Sequence, residues 1–441
     1  MEVERRGSVK QPDLMTQPGV AREEVVTTAK PFVISKHRVY EAYRLVKANA
    51  GSAGVDKQSI AAFEEDLKDN LYKLWNRMSS GSYLPPPVRA VSIPKKSGGE
   101  RILGVPTVSD RIAQMVVKLE FEPKVEPHFL PDSYGYRPGK SALDAVGITR
   151  KRCWRYDWVV EFDIKGLFDN IPHDLLLKAV EKHTDSAWIK LYIKRWLTAP
   201  MQLSDGSQQA RNKGTPQGGV ISPILSNLYL HYVFDKWLQQ HYSTVVWCRY
   251  ADDGLLHCRS EAQAHFLLKV IRQRFEQCGL ELHPVKTKIV YCKDGRRKGN
   301  HANTSFDFLG FTFRRRGCWV QSQNCRVLGF TPAVSRDALK AMRVKIRKSC
   351  LRHRTDLSLK DIADWLNPIM RGWLAYYGGF NRSAMYAIIR HVNKTLARWA
   401  IRKYKSLRRS KTRARVFLER CMKETPGLFV HWHEGMKGAF A

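Results

Sequence analysis

Three aspartates are placed in the sequence where they could hold divalent cations. Asp163 ends the apolar run Trp158–Ile164, and Asp252 and Asp253 follow about ninety residues later between two further apolar runs. Joining a nucleotide to a 3′-hydroxyl needs two cations ~3.5–4 Å apart, one beside the hydroxyl and one beside the triphosphate. Hard cations such as Mg²⁺ take oxygen ligands from a few carboxylates and from substrate phosphates. One carboxylate at a strand end and two at a neighbouring hairpin would therefore suit nucleotidyl transfer.

Neither half of this set is specific by itself. Asp252-Asp253-Gly254 is also an ordinary hairpin turn, because Asp and Gly tolerate the backbone angles of such turns. A carboxylate such as Asp163 is costly to bury at the end of an apolar strand unless its charge is compensated, which a bound metal would do. The combination therefore favours a two-metal site over a plain turn.

The elements that must position these aspartates are predicted as strands. One strand covers Trp158–Ile164, and two more, Val245–Tyr250 and Leu255–Arg259, are joined by a tight turn at Asp252-Asp253-Gly254. After the stretch Arg314–Gly317 the apolar pattern becomes helical. Upstream, we predict a flexible extension over 1–30, two helices over 34–74 broken at 51–54, strands at 88–93 and 101–105, and a helix over about 109–120.

Positive charge is the strongest feature of the composition. The 441 residues include 75 Lys and Arg against 41 Asp and Glu, which gives a net charge of +34 and a pI near 10. Such a protein repels itself unless a polyanion is present, and nucleic acid is the usual one. No apolar run approaches the ~18 residues of a membrane span, and no secretory signal follows Met1. The nine cysteines are too scattered for a zinc module.

The cationic excess is concentrated near the end of the sequence. Residues 331–441 contain 25 Lys and Arg against 7 Asp and Glu, a net charge of +18. One predicted helix there has an apolar stripe of Met385, Ile388, Val392, Leu396 and Trp399. Its other stripe is uniformly positive: Arg390, Lys394, Arg398, Arg402, Lys405 and Arg409. A core-packing face backed by a row of cations predicts a helix that binds a phosphate backbone.

Eight ordered blocks accompany the aspartates. They are Ile93–Arg101, Leu103–Thr107, Asp132–Gly139, Phe162–Ile164, Gly214–Pro223, Tyr250–Asp253, Leu282–Lys288 and Phe308–Phe311. Tyr250-Ala251-Asp252-Asp253 resembles the active-site box of reverse transcriptases. From about residue 35 to about residue 410, the chain is similar to bacterial group II intron-encoded reverse transcriptase–maturases.

The resemblance implies an α+β fold of the right-hand polymerase type. Fingers and a palm, whose antiparallel sheet carries the aspartates, would be followed by an all-α basic thumb or maturase domain. The expected divisions are a flexible extension (1–30), a reverse transcriptase domain (31–320), a thumb/maturase domain (331–410) and a short basic C-terminal segment (411–441). The final segment has no paired cysteines, so no endonuclease is expected there.

The resemblance also implies roles for individual residues. Two Mg²⁺ ions, with Mn²⁺ as a possible substitute, would be bound by Asp163, Ile164, Asp252 and Asp253. The nucleotide would be contacted by Lys95 and Arg101 at its triphosphate, by Phe168 at its sugar, where a bulky ring excludes a 2′-hydroxyl, and by Gln217. The template or primer backbone would be contacted by Lys286 and Lys288.

A second resemblance lies in the helical part. Asn367–Tyr377 is similar to the maturase (thumb) motif of intron-encoded proteins, and Arg371 within it would contact RNA. The aromatic residues of such a motif are also typical of a plain helix core. The resemblance implies a ribonucleoprotein with the parent intron RNA, whose splicing the protein promotes. Its other partners would be an RNA template, a DNA primer, target DNA and dNTPs, with no membrane. The expected location is the bacterial cytoplasm, at the nucleoid.

Two other functions are compatible with parts of this pattern. A maturase whose polymerase is inactive would need no catalytic carboxylates, and the intact Asp163, Asp252 and Asp253 argue against it. A group II-like reverse transcriptase recruited to DNA repair or phage defence would have the same chemistry. Paired aspartates on a hairpin serve many polymerases, so the residues alone do not distinguish an RNA template from a DNA template.

Overall fold

The computed structural model describes residues 30–94, 98–320 and 324–436. A first region of mixed helices and strands, here called the sheet region, extends to Val334, and the helical region follows it. The strands are β1 (Val88–Pro94), β2 (Glu100–Val105), β3 (Trp158–Asp163), β4 (Met201–Gln202), β5 (Gln208–Gln209), β6 (Val246–Tyr250), β7 (Asp253–Cys258), β8 (Lys288–Tyr291), β9 (Ser305–Phe308), β10 (Phe311–Val320) and β11 (Cys325–Val334).

Helices occur in both regions. Those of the sheet region are α1 (Lys36–Ala48), α2 (Ile60–Glu65), α3 (Leu67–Ser79), α4 (Val108–Val125), α5 (Ala142–Cys153), α6 (Leu167–Asn170), α7 (His173–Glu181), α8 (Ala187–Thr198), α9 (Ser222–Leu230), α10 (Lys236–His241) and α11 (Glu261–Gln277). Those of the helical region are α12 (Arg336–Lys348), α13 (Leu359–Tyr377), α14 (Tyr386–Lys403), α15 (Lys411–Glu424) and α16 (Val430–His433). The predicted α+β architecture is confirmed.

The central sheet has the order β6-β7-β3-β8, with antiparallel pairing throughout. Its strand β3 alternates its side chains between two faces, as strands do. Phe162 points to the helix-covered face, where its ring centroid lies 5.2 Å from that of Phe234 and 5.8 Å from that of Phe275. Because Asp163 is the next residue, its carboxylate points to the opposite face. The hydrophobic alternation therefore fixes the side of the sheet on which the acid lies.

A second sheet, β2-β1-β4-β5, lies at the predicted fingers hairpin. Its strands β1 and β2 pair from Arg89 with Val105 to Pro94 with Glu100, which confirms the two strands predicted there. The prediction of two helices over 34–74 was incomplete, because the second one is divided into α2 and α3. Asp66 leaves the helical conformation between them, with φ −119° and ψ 44°.

The expectation that helices begin after Arg314–Gly317 was wrong. Strand β10 continues to Val320, and β11 returns along it to Val334 before α12 begins. Residues 325–334 form a strand because they pair along the whole length of β10, and no local pattern shows that long-range pairing. At its base this hairpin packs on β9, where the rings of Phe306 and Phe313 stack at 4.7 Å. The hairpin thus links the two regions.

The helical region has a core of its own. Helices α12, α13 and α14 contribute buried residues such as Met342, Leu366 and Trp399. The same core also includes Leu418 of α15 and Trp432 of α16, so it does not end at the predicted boundary after residue 410. The predicted short basic segment therefore packs as part of the helical region up to residue 436, because it supplies apolar side chains to the shared core.

Between α9 and α10, residues His231–Asp235 form a single π-helical turn. This wider turn brings Asp235 inward, where its side chain is fully buried. Within the described ranges, no helix is both long enough and apolar enough to cross a membrane.

Candidate functional site

The three aspartates meet at the open end of the β3–β7 pair. Asp163, the last residue of β3, lies directly opposite Asp253, the first residue of β7. Residues directly opposite in an antiparallel pair have Cβ atoms ~4.5–5.5 Å apart on the same face of the sheet. Asp252 adjoins them in the β6–β7 turn, and its carbonyl oxygen accepts a 3.3 Å hydrogen bond from the backbone N–H of Ile164. The structure thus brings together the four residues predicted as metal ligands.

The hairpin turn differs from the predicted one. Tyr250 pairs with Asp253, so the turn consists of Ala251 and Asp252, and Asp253 already belongs to β7. Ala251 has φ +56°, a left-handed conformation that L-residues adopt at a cost. Gly254 does not serve the turn at all. It lies opposite Phe162 on β3, and a Cβ at this position would overlap the phenyl ring.

The carboxylates of Asp163, Asp252 and Asp253 repel one another. Burial, together with the negative charges of Asp252 and Asp163, raises the pKa of Asp253 to about 7. Burial also raises the pKa of Asp252, with the charge of Asp163 as an additional cause. Carboxylates held this close together without compensation favour either protons or cations. Such a donor set of hard oxygen atoms fits Mg²⁺.

A lysine currently compensates one of the charges. Lys286 Nζ donates a 2.7 Å hydrogen bond to Asp163 Oδ2 and forms an ion pair with it. Burial lowers the pKa of Lys286, but the bond and the charges of the aspartates raise it above its usual value. In the part of the chain that the structure describes, no three acidic, imidazole or thiol side chains already form a closed metal-ligand cluster.

Lys288, the other residue predicted to contact template or primer, also lies at the sheet. Its Nζ is 3.2 Å from Glu161 Oε2, on the strand that carries Asp163. Burial raises the pKa of Glu161 to about 7, and the charge of Lys288 opposes this. Both lysines are therefore paired with acids of β3, and their contacts with nucleic acid stay predictions.

Arg249 was not identified from the sequence, and its side chain supports the β6–β7 hairpin from the buried side. Its side chain is fully buried and pairs with the equally buried Asp235, at 2.8 Å and 2.6 Å. It also donates 3.1 Å hydrogen bonds to the Ala251 carbonyl and to Asn227 Oδ1, and a 2.8 Å bond to Ser133 Oγ. A buried charge without these partners would be strongly destabilising. The network therefore ties the β6–β7 turn to three other parts of the sheet region.

The predicted nucleotide contacts on the fingers side form a chain of side chains. Arg101 Nε donates a hydrogen bond to Gln217 Oε1, and Gln217 Nε2 donates to both carboxylate oxygens of Asp169, at 3.1 Å and 3.0 Å. The backbone of Gln217 accepts a 2.8 Å bond from the N–H of Gly104 on β2. The third residue predicted here, Lys95, lies outside the described residues.

Phe168 is buried beside this chain, at the start of α6. Its carbonyl accepts a 2.6 Å hydrogen bond from the backbone N–H of Thr215. Gly214 packs so closely that a Cβ there would lie 2.6 Å from the same carbonyl oxygen. The Gly214–Pro223 block therefore holds the Phe168 backbone in place. A side chain that excludes a 2′-hydroxyl by its bulk would need such a fixed backbone.

The maturase-like motif joins the two regions. Tyr376 donates a 2.9 Å hydrogen bond to the carbonyl of Leu309, and Tyr377 contacts Gly310. At its other end, Asn367 accepts a 3.0 Å bond from the N–H of Val430 and donates a 2.9 Å bond to the Leu428 carbonyl. These contacts favour a packing role for its aromatic residues, whereas Arg371 is exposed.

The basic stripe is exposed as predicted, but its six residues do not all lie on one helix. All five apolar stripe residues are buried, which leaves Arg390, Lys394, Arg398 and Arg402 on the outside of α14. The prediction of a helix through Arg409 was wrong, since α14 ends at Lys403. Lys405 lies in a 3-10 turn, and Arg409 has φ +61° in the following turn. Both are exposed, outside the helical row.

Two family models match the chain. Residues 93–313 match the model described as reverse transcriptase (RNA-dependent DNA polymerase). Residues 339–417 match the group II intron maturase-specific domain. The first match contains the aspartates, and the second covers α12 to α14 and part of α15.

Individual proteins are similar as well. Protein YkfC of Escherichia coli strain K12 is 33% identical over 321 residues, which cover 63% of this chain and 80% of YkfC. Group II intron-encoded protein LtrA of Lactococcus lactis subsp. cremoris is 33% identical over 221 residues, 49% of this chain and 36% of LtrA. Among solved structures, telomerase from Candida albicans has a TM-score of 0.43 and 12% identity, covering 85% of this chain and 68% of that one.

Proposed function

Because the chain belongs to the reverse transcriptase family of RNA-directed DNA polymerases and carries a group II intron maturase-specific domain, we propose that it is the multifunctional protein of a group II intron. It would copy RNA into DNA with Asp163, Asp252 and Asp253, and it would bind the intron RNA to promote splicing. Copying of the intron into DNA would then serve its mobility. The single observation that carries the catalytic part is the opposition of Asp163 and Asp253 beside the Asp252 turn.

The carboxylates would provide the ligands of a two-metal site. Asp163, Asp252 and Asp253 supply hard oxygen donors on one face of the sheet, and the Ile164 backbone adjoins them. Two Mg²⁺ ions, when bound, would activate the primer 3′-hydroxyl and neutralise charge on the triphosphate. Lys286 holds Asp163 in place at neutral pH and limits its repulsion of Asp253. Arg249 fixes the turn so that Asp252 keeps its position.

The fingers side would hold the nucleotide. Gln217 presents its amide between Arg101 and Asp169, so the guanidinium of Arg101 is oriented before substrate arrives. Arginine can grip two phosphate oxygens at once, which suits a triphosphate. Phe168, held by the Gly214–Pro223 block, would exclude a 2′-hydroxyl and so select deoxynucleotides.

The helical region would hold the intron RNA. Its exposed cations on α14 are mounted on a packed core, so they present a fixed row rather than mobile side chains on a flexible tail. Phosphate contacts of this kind give affinity that falls steeply with salt. Splicing support would not need the polymerase aspartates, because the two activities use different residues.

Primer extension on an RNA template tests the polymerase. We expect product with the unmodified protein and Mg²⁺, and none above background with Asp252→Ala. A matched control is Asp205→Ala, which removes an exposed carboxylate from the β4–β5 loop and should extend normally. Equal product from the Asp252 variant and the unmodified protein would refute the catalytic assignment.

Splicing of the RNA that surrounds the gene tests the maturase role. The purified protein should lower the Mg²⁺ concentration that this RNA needs to splice, and Asp252→Ala should do so equally well. No change in the requirement would refute the maturase role. Flanking RNA that does not fold as a group II intron would instead favour a reverse transcriptase recruited by its host.

A further inference from the structure

Gln114 of α4 is buried behind the loop that carries Gln217, and its side-chain amide holds one end of that loop. Gln114 Oε1 accepts a 2.7 Å hydrogen bond from the backbone N–H of Val220 and a 3.3 Å bond from that of Ile221. Both N–H groups come just before α9, and backbone N–H groups that lose contact with water need such a partner. Gln114 therefore provides the acceptor for this end of the loop.

Asp110 fixes the orientation of the same amide. Gln114 Nε2 donates a 2.9 Å hydrogen bond to Asp110 Oδ2, and Asp110 Oδ1 accepts bonds from the Tyr83 hydroxyl (2.9 Å) and from Trp196 Nε1 (2.7 Å). An ionised carboxylate only accepts hydrogen bonds and a backbone N–H only donates them. The oxygen and the nitrogen of the amide therefore cannot exchange places, and Asp110 selects the one orientation in which Gln114 can hold the loop.

The loop over residues 214–221 passes closely between α4 and β2. A Cβ on Gly219 would lie 3.2 Å from Gln114 Oε1, so the loop backbone runs directly over the amide. On the other side, the N–H of Gly104 donates a 2.8 Å hydrogen bond to the carbonyl of Gln217. Because only two residues separate Gln217 from the first N–H that Gln114 holds, a displacement of this anchor would move Gln217 as well.

We propose that Gln114 is a positioning residue for the incoming nucleotide, acting through the loop on the side chain of Gln217. The inference rests on the proposed nucleotide contacts of Gln217 and Arg101 and deepens them, because it assigns the residue that holds their geometry. The amide of Gln217 bonds to both Arg101 and Asp169, so a shift of the loop would also change the orientation of the guanidinium. A misplacement of about 1 Å in such a site can cost about a hundredfold in rate.

Exchanging the donor and the acceptor between positions 110 and 114 tests this role at nearly constant size. Gln114→Glu alone places two carboxylates against each other, and Asp110→Asn alone places two amide NH₂ groups against each other. In the double variant, the new amide at position 110 donates to the new carboxylate at position 114. That carboxylate still accepts from the two backbone N–H groups of the loop, so the whole arrangement is restored with the bond reversed.

Primer extension at varied dNTP concentration measures the KM for the nucleotide, and active-site titration measures the fraction of competent enzyme. We expect each single variant to raise the dNTP KM at least about fivefold, with less than about a twofold change in affinity for annealed template and primer. The double variant should return the dNTP KM to within about twofold of the unmodified protein. A merely structural role would instead lower the competent fraction and leave the KM of the remaining enzyme unchanged, which would overturn the inference.

Tyr192→Phe is a matched control in the same core. The Tyr192 hydroxyl donates a buried 2.7 Å hydrogen bond to the carbonyl of Met78, so its loss destabilises the protein without touching the loop. The dNTP KM of this variant should equal that of the unmodified protein. A rise as large as that of Gln114→Glu would show that any defect in this core raises the KM, and it would overturn the specific role of Gln114.

Gln217→Ala distinguishes the two possible failures. If this variant raises the dNTP KM and neither Gln114→Glu nor Asp110→Asn does, the positioning role is refuted and the nucleotide contact stands. If Gln217→Ala leaves the dNTP KM unchanged, the proposed nucleotide contact is refuted, and Gln114 does not act through it. Single-variant defects that the double variant fails to relieve would also overturn the inference.

Discussion

The sheet region and the helical region treat charge in opposite ways. Where β3 ends and β7 begins, the buried Asp163 and the half-buried Asp252 and Asp253 lie close together, and Arg249 beneath them has all its hydrogen-bond partners. On α14, Arg390, Lys394 and Arg398 are exposed, and none of them forms an ion pair with an acid among the described residues. The first arrangement fixes the positions of a few carboxylate oxygens, and the second creates a positive electrostatic potential over a surface.

This difference predicts different responses to substitution. A site that depends on a few atoms loses its activity when one atom is removed, because nothing else occupies that position. A surface field loses only a fraction of its strength for each charge removed, and that fraction depends on salt. The comparison fails if single changes in the helical region abolish function, or if single changes at the aspartates have graded effects.

The largest effect is expected for Asp163→Asn. The amide keeps the size of the side chain but removes a charged oxygen, so primer extension should fall on the order of a thousandfold or more. RNA affinity at the same salt should change by less than about threefold, since the helical region is untouched. Single-turnover extension and filter binding measure the two quantities. Parallel losses in both would show that the regions are not separable.

The next effect concerns stability. Arg249→Met leaves the Asp235 carboxylate buried without a partner and should cost about 3–5 kcal/mol of unfolding free energy. The comparable change in the helical region, Arg354→Met, breaks an exposed pair with Asp356 and should leave the unfolding free energy nearly unchanged, because solvent screens that pair. Urea denaturation measures both. The double variant Arg249→Met with Asp235→Leu should recover most of the stability but not the activity, because the Ala251 carbonyl stays unclamped. A small loss for Arg249→Met alone would contradict the clamp.

The two regions should also differ in the sign of their pH dependence. Burial raises the pKa of Asp110 in α4 to about 6, although Tyr83, Trp196 and Gln114 donate hydrogen bonds to its carboxylate. A raised folded-state pKa gives stability that is present below the unfolded pKa and is lost as the pH rises through about 6. Across that window the stability of the unmodified protein relative to Asp110→Asn should fall by up to about 3 kcal/mol.

The opposite sign is expected for Asp361 of α13. Hydrogen bonds from the backbone N–H and the hydroxyl of Ser358 lower the pKa of Asp361. A lowered folded-state pKa gives stability that is present above the unfolded value and is lost as the pH falls through the folded one. Melting temperatures of Asp361→Asn and Asp110→Asn, each compared with the unmodified protein from about pH 2.5 to 7.5, measure the two trends, since the Asp361 contribution changes only below its unfolded pKa of about 3.9. Trends of the same sign would contradict this comparison.

The smallest effect is expected for a single cation of the helical region. Arg398→Gln should weaken RNA binding only about two- to fivefold near physiological salt and reduce the salt slope by about one. Extension of a pre-annealed template and primer should be unchanged. A salt slope equal to that of the unmodified protein would show that Arg398 does not contact phosphate.

Strand alternation and motif order were sufficient to predict the aspartate strand, the fingers hairpin and the buried stripe of α14. The turn was misplaced because Asp-Asp-Gly is a favourable turn sequence, whereas the actual glycine is needed beside Phe162. The end of α14 was missed because the basic residues continue at the same spacing after the backbone has changed to a 3-10 turn. Local patterns of residues do not show where such a backbone change occurs.

Arg249 and Asp235 could not be predicted, because their pairing depends on three-dimensional contacts. Arg249 stands inside an apolar strand and Asp235 at the end of a helix fourteen residues earlier, and nothing in their spacing links them. The ion pair between Lys286 and Asp163 spans 123 residues and has no periodic signal either. The basic residues of α14 were visible in the sequence, whereas the packing of α12 beside α14 was not.

The π-helical turn at His231–Asp235 makes the length of this segment as important as its composition. The wider turn accommodates the residues that are present, and one residue more would rotate Asp235 by roughly 100° about the helix axis. The carboxylate would then leave Arg249 without its partner, although every motif residue remained in place. A single in-frame insertion between Asn227 and Asp235 should therefore abolish polymerase activity as completely as the loss of an aspartate. Related genes that encode an active polymerase should therefore keep the same number of residues between the Gly214–Pro223 block and the Tyr250–Asp253 box.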